Sequence, residues 1–424
     1  MFLVDKYVST GGVLGLFAGL GAFVLSADIT ASMLSLEAAE DLALASDPGV
    51  KSVQANRLAL EELSVEAGQL PDPLLKLGLV SLPTDTFNLG QEPMTQVQFG
   101  VVQKFPRGRS RALQAEQLGL KSEGLGELVQ DRQLQTLLAV REQFVEVLKY
   151  RKLAEINEKA IGAFSDLAGI TEDYYATGRV QQQDVLQAAV ELAKVRDRAT
   201  RIIQNEEQAR ARLALWIGEA AFGRLDAAWP RFDAALSADM LKERLRTHPR
   251  VRVLEKSVDA AETGVELARQ KYRPEFALDV TYGGRGGSNP DGSSRTDLMT
   301  FMVVMDVPLF HKNRQDRVVA SQLHEASAAM YSRDDLLRRM SSEIDFHAAS
   351  LAGLNERMRL FESTLLPEAE FSSESSLGAY QSSIESLTTL LRARITEFDL
   401  QLEYVRLQAE TIKTNARLLY LQGE

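Results

Sequence analysis

The sequence predicts a mainly α protein with a small β part, made of two copies of one helix–strand–strand–long helical hairpin unit. Three observations predict it. The two halves of the chain superpose at a nearly constant offset. Each half holds a long proline-free stretch with helical spacing of its apolar residues. Each half also holds two strand-length segments that alternate apolar and polar residues and end at prolines.

The duplication is read by laying one half on the other. The segment DPGVKSVQANRLALEELSVEAGQLPDPLLKLGLV begins at Asp47, and HPRVRVLEKSVDAAETGVELARQKYRPEFALDVT begins at His248. Pro48 falls on Pro249, Val50 on Val251, Ala67 on Ala268, Gln69 on Gln270 and Pro73 on Pro274, all at an offset of 201. Val101-Val102 and Pro106 fall on Val303-Val304 and Pro308 at 202. Gln117-Leu118 meets Gln322-Leu323, Tyr175 meets Tyr380 and Leu186 meets Leu391 at 205. Apolar matches alone arise by chance, but they do not keep the prolines and the segment lengths together.

In chain order, Lys6 precedes an apolar run from Gly12 to Ala27, and polar sequence follows from Asp28. The run is short for a membrane-spanning helix, which needs roughly 20 residues. It fits the core of a secretory signal over 1–27; a membrane anchor or a buried helix are the other readings. The first repeat is then 28–218, with strands about 74–82 and 95–105 and a helical hairpin about 110–217. A linker, 219–236, carries Trp229, with Trp216 just before it. The second repeat is 237–424, with strands about 275–283 and 299–307 and a hairpin about 312–421. Between Leu118 and Thr171 there is no proline, and Leu153, Ile156, Ala160, Phe164 and Leu167 keep helical spacing. The second half does likewise from Leu323 until Pro367. Some 50–60 residues at 1.5 Å each make a rod of roughly 75–90 Å, which suits a coiled coil or a tall helical barrel. Near Gly178 and near Ser382-Ser383 the pattern breaks and a second helix returns.

Strand parity says what the strands are for. Val97, Phe99, Val101 and Phe105 oppose Gln96, Gln98, Gly100 and Lys104; Phe276, Leu278, Val280 and Tyr282 oppose Ala277, Asp279, Thr281 and Gly283. Phe301, Val303, Met305 and Val307 share one face of the last strand, and Leu75, Leu77 and Leu79 one face of the first. A soluble sandwich with one buried face gives the same alternation. The lengths also suit tilted membrane strands of roughly 9–11 residues. Four strands cannot close a membrane barrel, whose smallest size is about 8, so strands in lipid must be shared among subunits. The connecting stretches from Pro83 and from Gly283 are rich in turn formers and read as external loops.

The totals narrow the function. A net charge of −11 argues against a nucleic-acid partner. The absence of cysteine removes disulfides, thiolate catalysis, zinc–thiolate sites and a lipid-modified N-terminal cysteine. His248, His311, His324 and His347 sit in no ligand-like spacing, and no convergent His or carboxylate set suggests an enzyme, a cofactor or a metal site. Met299, Met302 and Met305 resemble a soft-metal ladder, but parity turns Met302 away from the other two, which favours packing or lipid contact. The cluster RGRSR, Arg107 to Arg111, either meets lipid head groups or begins the helix.

With the duplicated layout, the junction prolines Pro73, Pro106, Pro274 and Pro308, and the tip pattern YYATGRVQQQDVLQA from Tyr174, the chain resembles the TolC family of outer-membrane efflux proteins. The stretch from Leu70 to Pro106 is similar to its heavy-metal branch, the CzcC- and CusC-like proteins. The resemblance implies a homotrimer with one shared twelve-stranded barrel in outer-membrane lipid and a periplasmic helical tunnel. It also implies a periplasmic adaptor (a membrane fusion protein), an inner-membrane RND-type pump, no cofactor and passive conduction of heavy-metal cations. Drug or type I protein export, or a non-channel helical rod, are the alternatives. Its gate would lie at the hairpin tips, with Asp184, Glu385, Tyr175, Tyr380 and Gly178 as candidates. Asp184 matches the tip aspartate; Thr389 takes the equivalent place in the second hairpin, Arg392 stands where another acid is common, and Ser383 replaces the tip glycine.

Overall fold

The computed structural model describes residues 33–232 and 236–424, so the signal expected over 1–27 lies outside the described residues. The first half of the chain runs α1 (Leu36–Ser46), α2 (Pro48–Ala67), β1 (Leu74–Val80), β2 (Gln96–Phe105), α3 (Ser110–Ala176) and α4 (Gln182–Ile217). The second runs α5 (Ala238–Arg244), α6 (Pro249–Arg269), β3 (Phe276–Gly284), β4 (Leu298–Met305), α7 (Gln315–Leu360), α8 (Leu366–Gln381) and α9 (Leu387–Gln422). The duplicated helix–strand–strand–hairpin layout is therefore the observed one. It also extends further toward the start of each half than the matched segments do. Ser35 and Ser237 cap short helices, accepting from Ala38 N at 3.2 Å and Met240 N at 3.5 Å.

The next helix of each half starts at an equivalent cap with a different side chain. Pro48 and Pro249 stand in the first turn, where no backbone donor is lost. Asp47 caps α2, accepting from Gly49 N at 2.7 Å, Thr136 Oγ1 at 2.7 Å and Arg132 Nε at 3.1 Å. Burial opposes its charge, but these donors outweigh burial and hold its carboxyl below the usual range. His248 caps α6: its Nδ1 accepts from Arg250 N at 3.2 Å, and its Nε2 lies 2.9 Å from Tyr420 O. Only a neutral ring with its proton on Nε2 satisfies both, and burial holds its pKa low.

Both folded groups bind a proton less well than the unfolded chain, so each contribution is lost as pH falls. His248 stabilises fully above about pH 6.5, and Asp47 above about pH 4. Thermal melts of the wild type should thus weaken in two steps on acidification, and His248→Gln should flatten the upper step alone. His347, also held low by burial, adds to that window, so the informative quantity is the difference between wild type and variant.

The 67 residues of α3 make a rod of about 100 Å. It packs on α2 and α6 in its upper part and on α1, α4 and α9 below. Because neighbours surround it, its buried residues fall on all faces, as Phe144, Val145, Val147 and Leu148 show at mid-height. The core is accordingly a string of clusters rather than one ball. At mid-height Ala39, Ala43, Phe144, Leu148, Leu213 and Leu225 pack together. Here the linker wraps the rod: Leu34 and Leu225 bridge as parallel backbone, and Trp229 Nε1 donates to Gln408 Oε1 at 3.0 Å. Near the hairpin tips Phe164, Leu167, Tyr380, Leu390, Leu391 and Phe398 form the lowest cluster.

The long rod of the second hairpin departs from that of the first. The helical pattern does not stop at Pro367; the chain passes through it by a π-helical turn, Phe361–Leu365, and continues as α8. Pro367 has no N–H to donate, and its ring would clash with the carbonyl four residues back in an α-turn, so the wider turn relieves both. Phe361 stacks on Tyr404 with ring centroids 6.3 Å apart, and the Tyr404 hydroxyl donates to Glu362; burial, and then this bond, raise its pKa to about 12. α3 has no such break.

Candidate functional site

The strands form one antiparallel sheet in the order β1-β2-β3-β4. Its register sorts the side chains onto two unlike faces. On one face Leu75, Val101, Val280 and Phe301 form a rung, with Leu77, Phe99, Tyr282 and Met299 in another. On the opposite face the rung is Lys76, Gly100, Thr281 and Thr300. Lys76 Nζ reaches Asp279 Oδ2 at 2.9 Å, and Thr281 Oγ1 donates to Asp279 Oδ1 at 2.5 Å. Gly100 is required between them, because a Cβ there would overlap Thr281 Oγ1. Met299 and Met305 lie on the apolar face and Met302 on the polar one, opposite Asp279.

Among the described residues no helix packs across either face. Leu77 is 76% exposed and Phe301 72%, and a contiguous apolar row of this kind marks a surface that meets protein or lipid. The outer edges of β1 and β4 have no strand partner among the described residues. The sheet is thus a wall with one greasy side, one polar side and two open edges. No described helix is long and apolar enough to cross a membrane.

The four prolines frame this wall. Pro73 directly precedes β1 and Pro106 directly follows β2, whereas Pro274 stands two residues before β3 and Pro308 three residues after β4. Arg107 clasps the joins, pairing with Asp306 and lying 3.6 Å from Glu275. At the other end the loops 81–95 and 285–297 are tied by Arg295, whose Nη1 donates to the carbonyls of Gly90, Glu92 and Gly286 at 3.0–3.1 Å. That clasp leaves no trace in the sequence, where Arg295 is one polar loop residue among many. His311 stacks edge-on against Tyr272 at 5.3 Å.

The hairpin tips lie at the far end of the rods. Each helix closes with the same pair of backbone bonds: Arg179 N to Tyr174 O and Gly178 N to Tyr175 O in one, Ile384 N to Ala379 O and Ser383 N to Tyr380 O in the other. Gly178 takes φ +72° and Ser383 φ +60°. A left-handed backbone costs a non-glycine residue about 1–2 kcal/mol, so Ser383→Gly should stabilise the second tip by about 1 kcal/mol. Slower amide exchange through Ser382–Ser386 would register it. Asp184 belongs to a capping box: its carboxylate accepts from Gln181 N at 3.0 Å. Glu385 does not stand in the equivalent place. It precedes the cap Ser386, and Thr389 occupies the position of Asp184.

The two tip tyrosines also part company. Tyr380 is 4% exposed and lies 5.8 Å from the Tyr174 ring, inside the lowest cluster. Burial raises its pKa. Tyr175, its counterpart by sequence, is 48% exposed. The structure brings Tyr380, Tyr174 and the Asp184 turn together and leaves Tyr175 and Gly178 on the surface.

Residues 240–424 match the outer membrane efflux protein family. No curated protein sequence matches the chain. Among solved structures it is similar to the outer-membrane channel OprN, with 16% identity and a TM-score of 0.77 over 92% of this chain and 89% of that one. It is similar to the transmembrane channel CusC at 14% identity and a TM-score of 0.75, covering 91% of each chain. It is also similar to the outer membrane protein VceC of Vibrio cholerae at 15% identity and a TM-score of 0.76, over 92% of this chain and 96% of that one. At such identities the likeness is one of fold.

Proposed function

We propose that this chain, whose residues 240–424 match the outer membrane efflux protein family, is the outer-membrane channel of a tripartite efflux system. The observation that carries the reading is the two-faced sheet with two open edges. Water is a poor solvent for its apolar face, and lipid is a poor solvent for its unpaired edges, where each orphaned backbone group costs several kcal/mol. Joining β4 of one copy to β1 of the next removes both faults, and three copies of four strands make a twelve-stranded barrel with the Lys76–Thr281–Thr300 rung inside. The helices favour the same closure. α7 exposes Leu323, Tyr331, Phe346 and Leu360, and α2 exposes Leu58 and Val65. These two helices continue the edge strands, so their apolar stripes would meet across a subunit boundary.

The rods then extend the lumen into the periplasm, and the tips, with Asp184, Glu385, Tyr175, Tyr380 and Gly178, form the gate and the docking end for a membrane fusion protein and an RND-type pump. Conduction is passive and the pump supplies the energy. Heavy-metal cations are the favoured substrate, on the strength of the Leu70–Pro106 stretch; drug or type I protein export is the second reading.

Planar lipid bilayers test the channel. The purified full chain should give discrete ion conductances and migrate as a heat-modifiable oligomer from the outer-membrane fraction. A soluble monomer without conductance refutes the reading. A deletion strain with unchanged tolerance to copper, silver, zinc, cobalt and cadmium refutes the metal branch alone.

A further inference from the structure

We infer that the helix-side rim of the sheet is a binding belt for anionic phospholipid headgroups. The inference rests on the reading that the apolar face of the sheet meets lipid. The chain is acidic overall, with a net charge of −11, yet the joins between sheet and helices concentrate cations. Arg109, Lys271, Arg273, Lys312, Arg314 and Arg317 are all exposed within this rim. Among the described residues, the ion pairs of the rim are those of Arg107 with Glu275 and Asp306. Those two carboxylates are thereby occupied; Asp316, which accepts from the Tyr272 hydroxyl at 2.6 Å, and Asp72 are the other carboxylates of these joins. The six cations outnumber these two carboxylates, and none of the six has an ion pair among the described residues.

The opposite end of the sheet has the other sign. Loops 81–95 and 285–297 carry Asp85, Glu92, Asp291 and Asp297 against Arg285 and Arg295, and both arginines are spent on backbone carbonyls. The charge is thus polarised along the strand direction, which a randomly solvated surface has no reason to be.

The apolar part of the rim completes the match. Val307, Leu309 and Phe310 follow β4 and are 57%, 71% and 76% exposed, so the greasy face runs on past the last strand residue into the cationic belt. Long basic side chains beside apolar ones at the edge of a hydrocarbon band lay their stems on the acyl boundary and lift their charges to the phosphates. An open groove of 1010 Å³ between Arg107, Lys271, Leu309, Phe310, Arg314 and Arg317 offers room for a headgroup. The occupant this chemistry selects is a phospholipid with net negative charge. The rival occupant of the same charges is the aqueous lumen, where they would set anion selectivity.

The test reconstitutes the full chain in nanodiscs of phosphatidylcholine, alone or mixed with phosphatidylglycerol. Lipid retained after mild detergent extraction is quantified by mass spectrometry. Each cation near the surface should favour the anionic lipid roughly fivefold at low salt, so phosphatidylglycerol should be enriched several-fold, and the enrichment should fade in high salt. The variant Lys271→Gln/Arg273→Gln/Lys312→Gln/Arg314→Gln should lose the enrichment while keeping its oligomer and its ion selectivity. Equal retention of the two lipids by the wild type overturns the inference, as does a variant that keeps the lipid preference but changes ion selectivity. Failure to insert into either composition would instead sink the membrane reading itself, and this inference with it.

Discussion

Phe301→Arg should abolish the membrane-inserted form of the protein, while Thr300→Arg, one residue earlier, should leave it standing. Phe301 closes the rung Leu75–Val101–Val280–Phe301 near the middle of the sheet and is 72% exposed on the apolar face. An arginine at the midplane of a membrane barrel costs about 2–4 kcal/mol per chain, and a symmetric trimer incurs it three times. The total is comparable to the whole stability of a typical domain, about 5–15 kcal/mol. Thr300 lies on the opposite face, beside Thr281, where the same charge would meet water and alter conductance or selectivity. Fractionation and heat-modifiable migration read both variants. Normal insertion of Phe301→Arg alongside failure of Thr300→Arg would reverse the assignment of the faces. Indifference of both would return the sheet to the soluble reading.

The face assignment was legible in the sequence because strand parity is a local property. Val97, Phe99 and Val101 alternate with Gln96, Gln98 and Gly100 whatever lies beside them, and register follows once one face is apolar. The long rods were legible for the same reason: an absence of proline and a helical period are written in consecutive residues. The π-turn that carries the chain through Pro367 was not, because it depends on Phe361 and Glu362 finding Tyr404 in another helix. Short α1 and α5 escaped although their caps Ser35 and Ser237 keep the offset, because segments of 11 and 7 residues hold too few turns for a helical period to stand out. At the tips, sequence alignment equates Tyr175 with Tyr380, but burial depends on which neighbour each meets. Tyr380 joins the cluster shared with the first hairpin of its own chain, and Tyr175 lies outside it, 48% exposed. The equivalence of Thr389 with Asp184 was legible, because both stand three residues after a helix cap.

Tyr380→Ala should loosen the tip and raise the resting conductance several-fold, and the reason lies in what holds the two hairpins together. α8 packs on α9 and on the π-turn, and the described contacts give it no comparable seat on α3. The tip of the second hairpin is therefore joined to the first chiefly through the lowest cluster, where Tyr380 sits between Phe164, Leu167 and Ala188 of one hairpin and Leu387, Leu390 and Leu391 of its own. Truncating a buried aromatic to alanine costs about 3–5 kcal/mol, and the cavity left here would fall on the contact between hairpins rather than within either. The expected result is a tip that samples wider states more often, seen as longer open times in planar bilayers and as entry of bulky antibiotics into cells. Tyr380→Phe separates packing from polarity. The Tyr380 hydroxyl is buried without a hydrogen-bond partner, and the Thr171 hydroxyl beside it already donates to Leu167 O at 2.7 Å. Phenylalanine keeps the ring and removes a poorly satisfied polar atom, so its conductance should match the wild type and its stability should equal or slightly exceed it. If the phenylalanine variant opens as the alanine variant does, the tip is held by the hydroxyl across a subunit boundary and not by apolar packing within the chain. If neither variant changes the conductance, the narrow point of the path lies elsewhere along the rods.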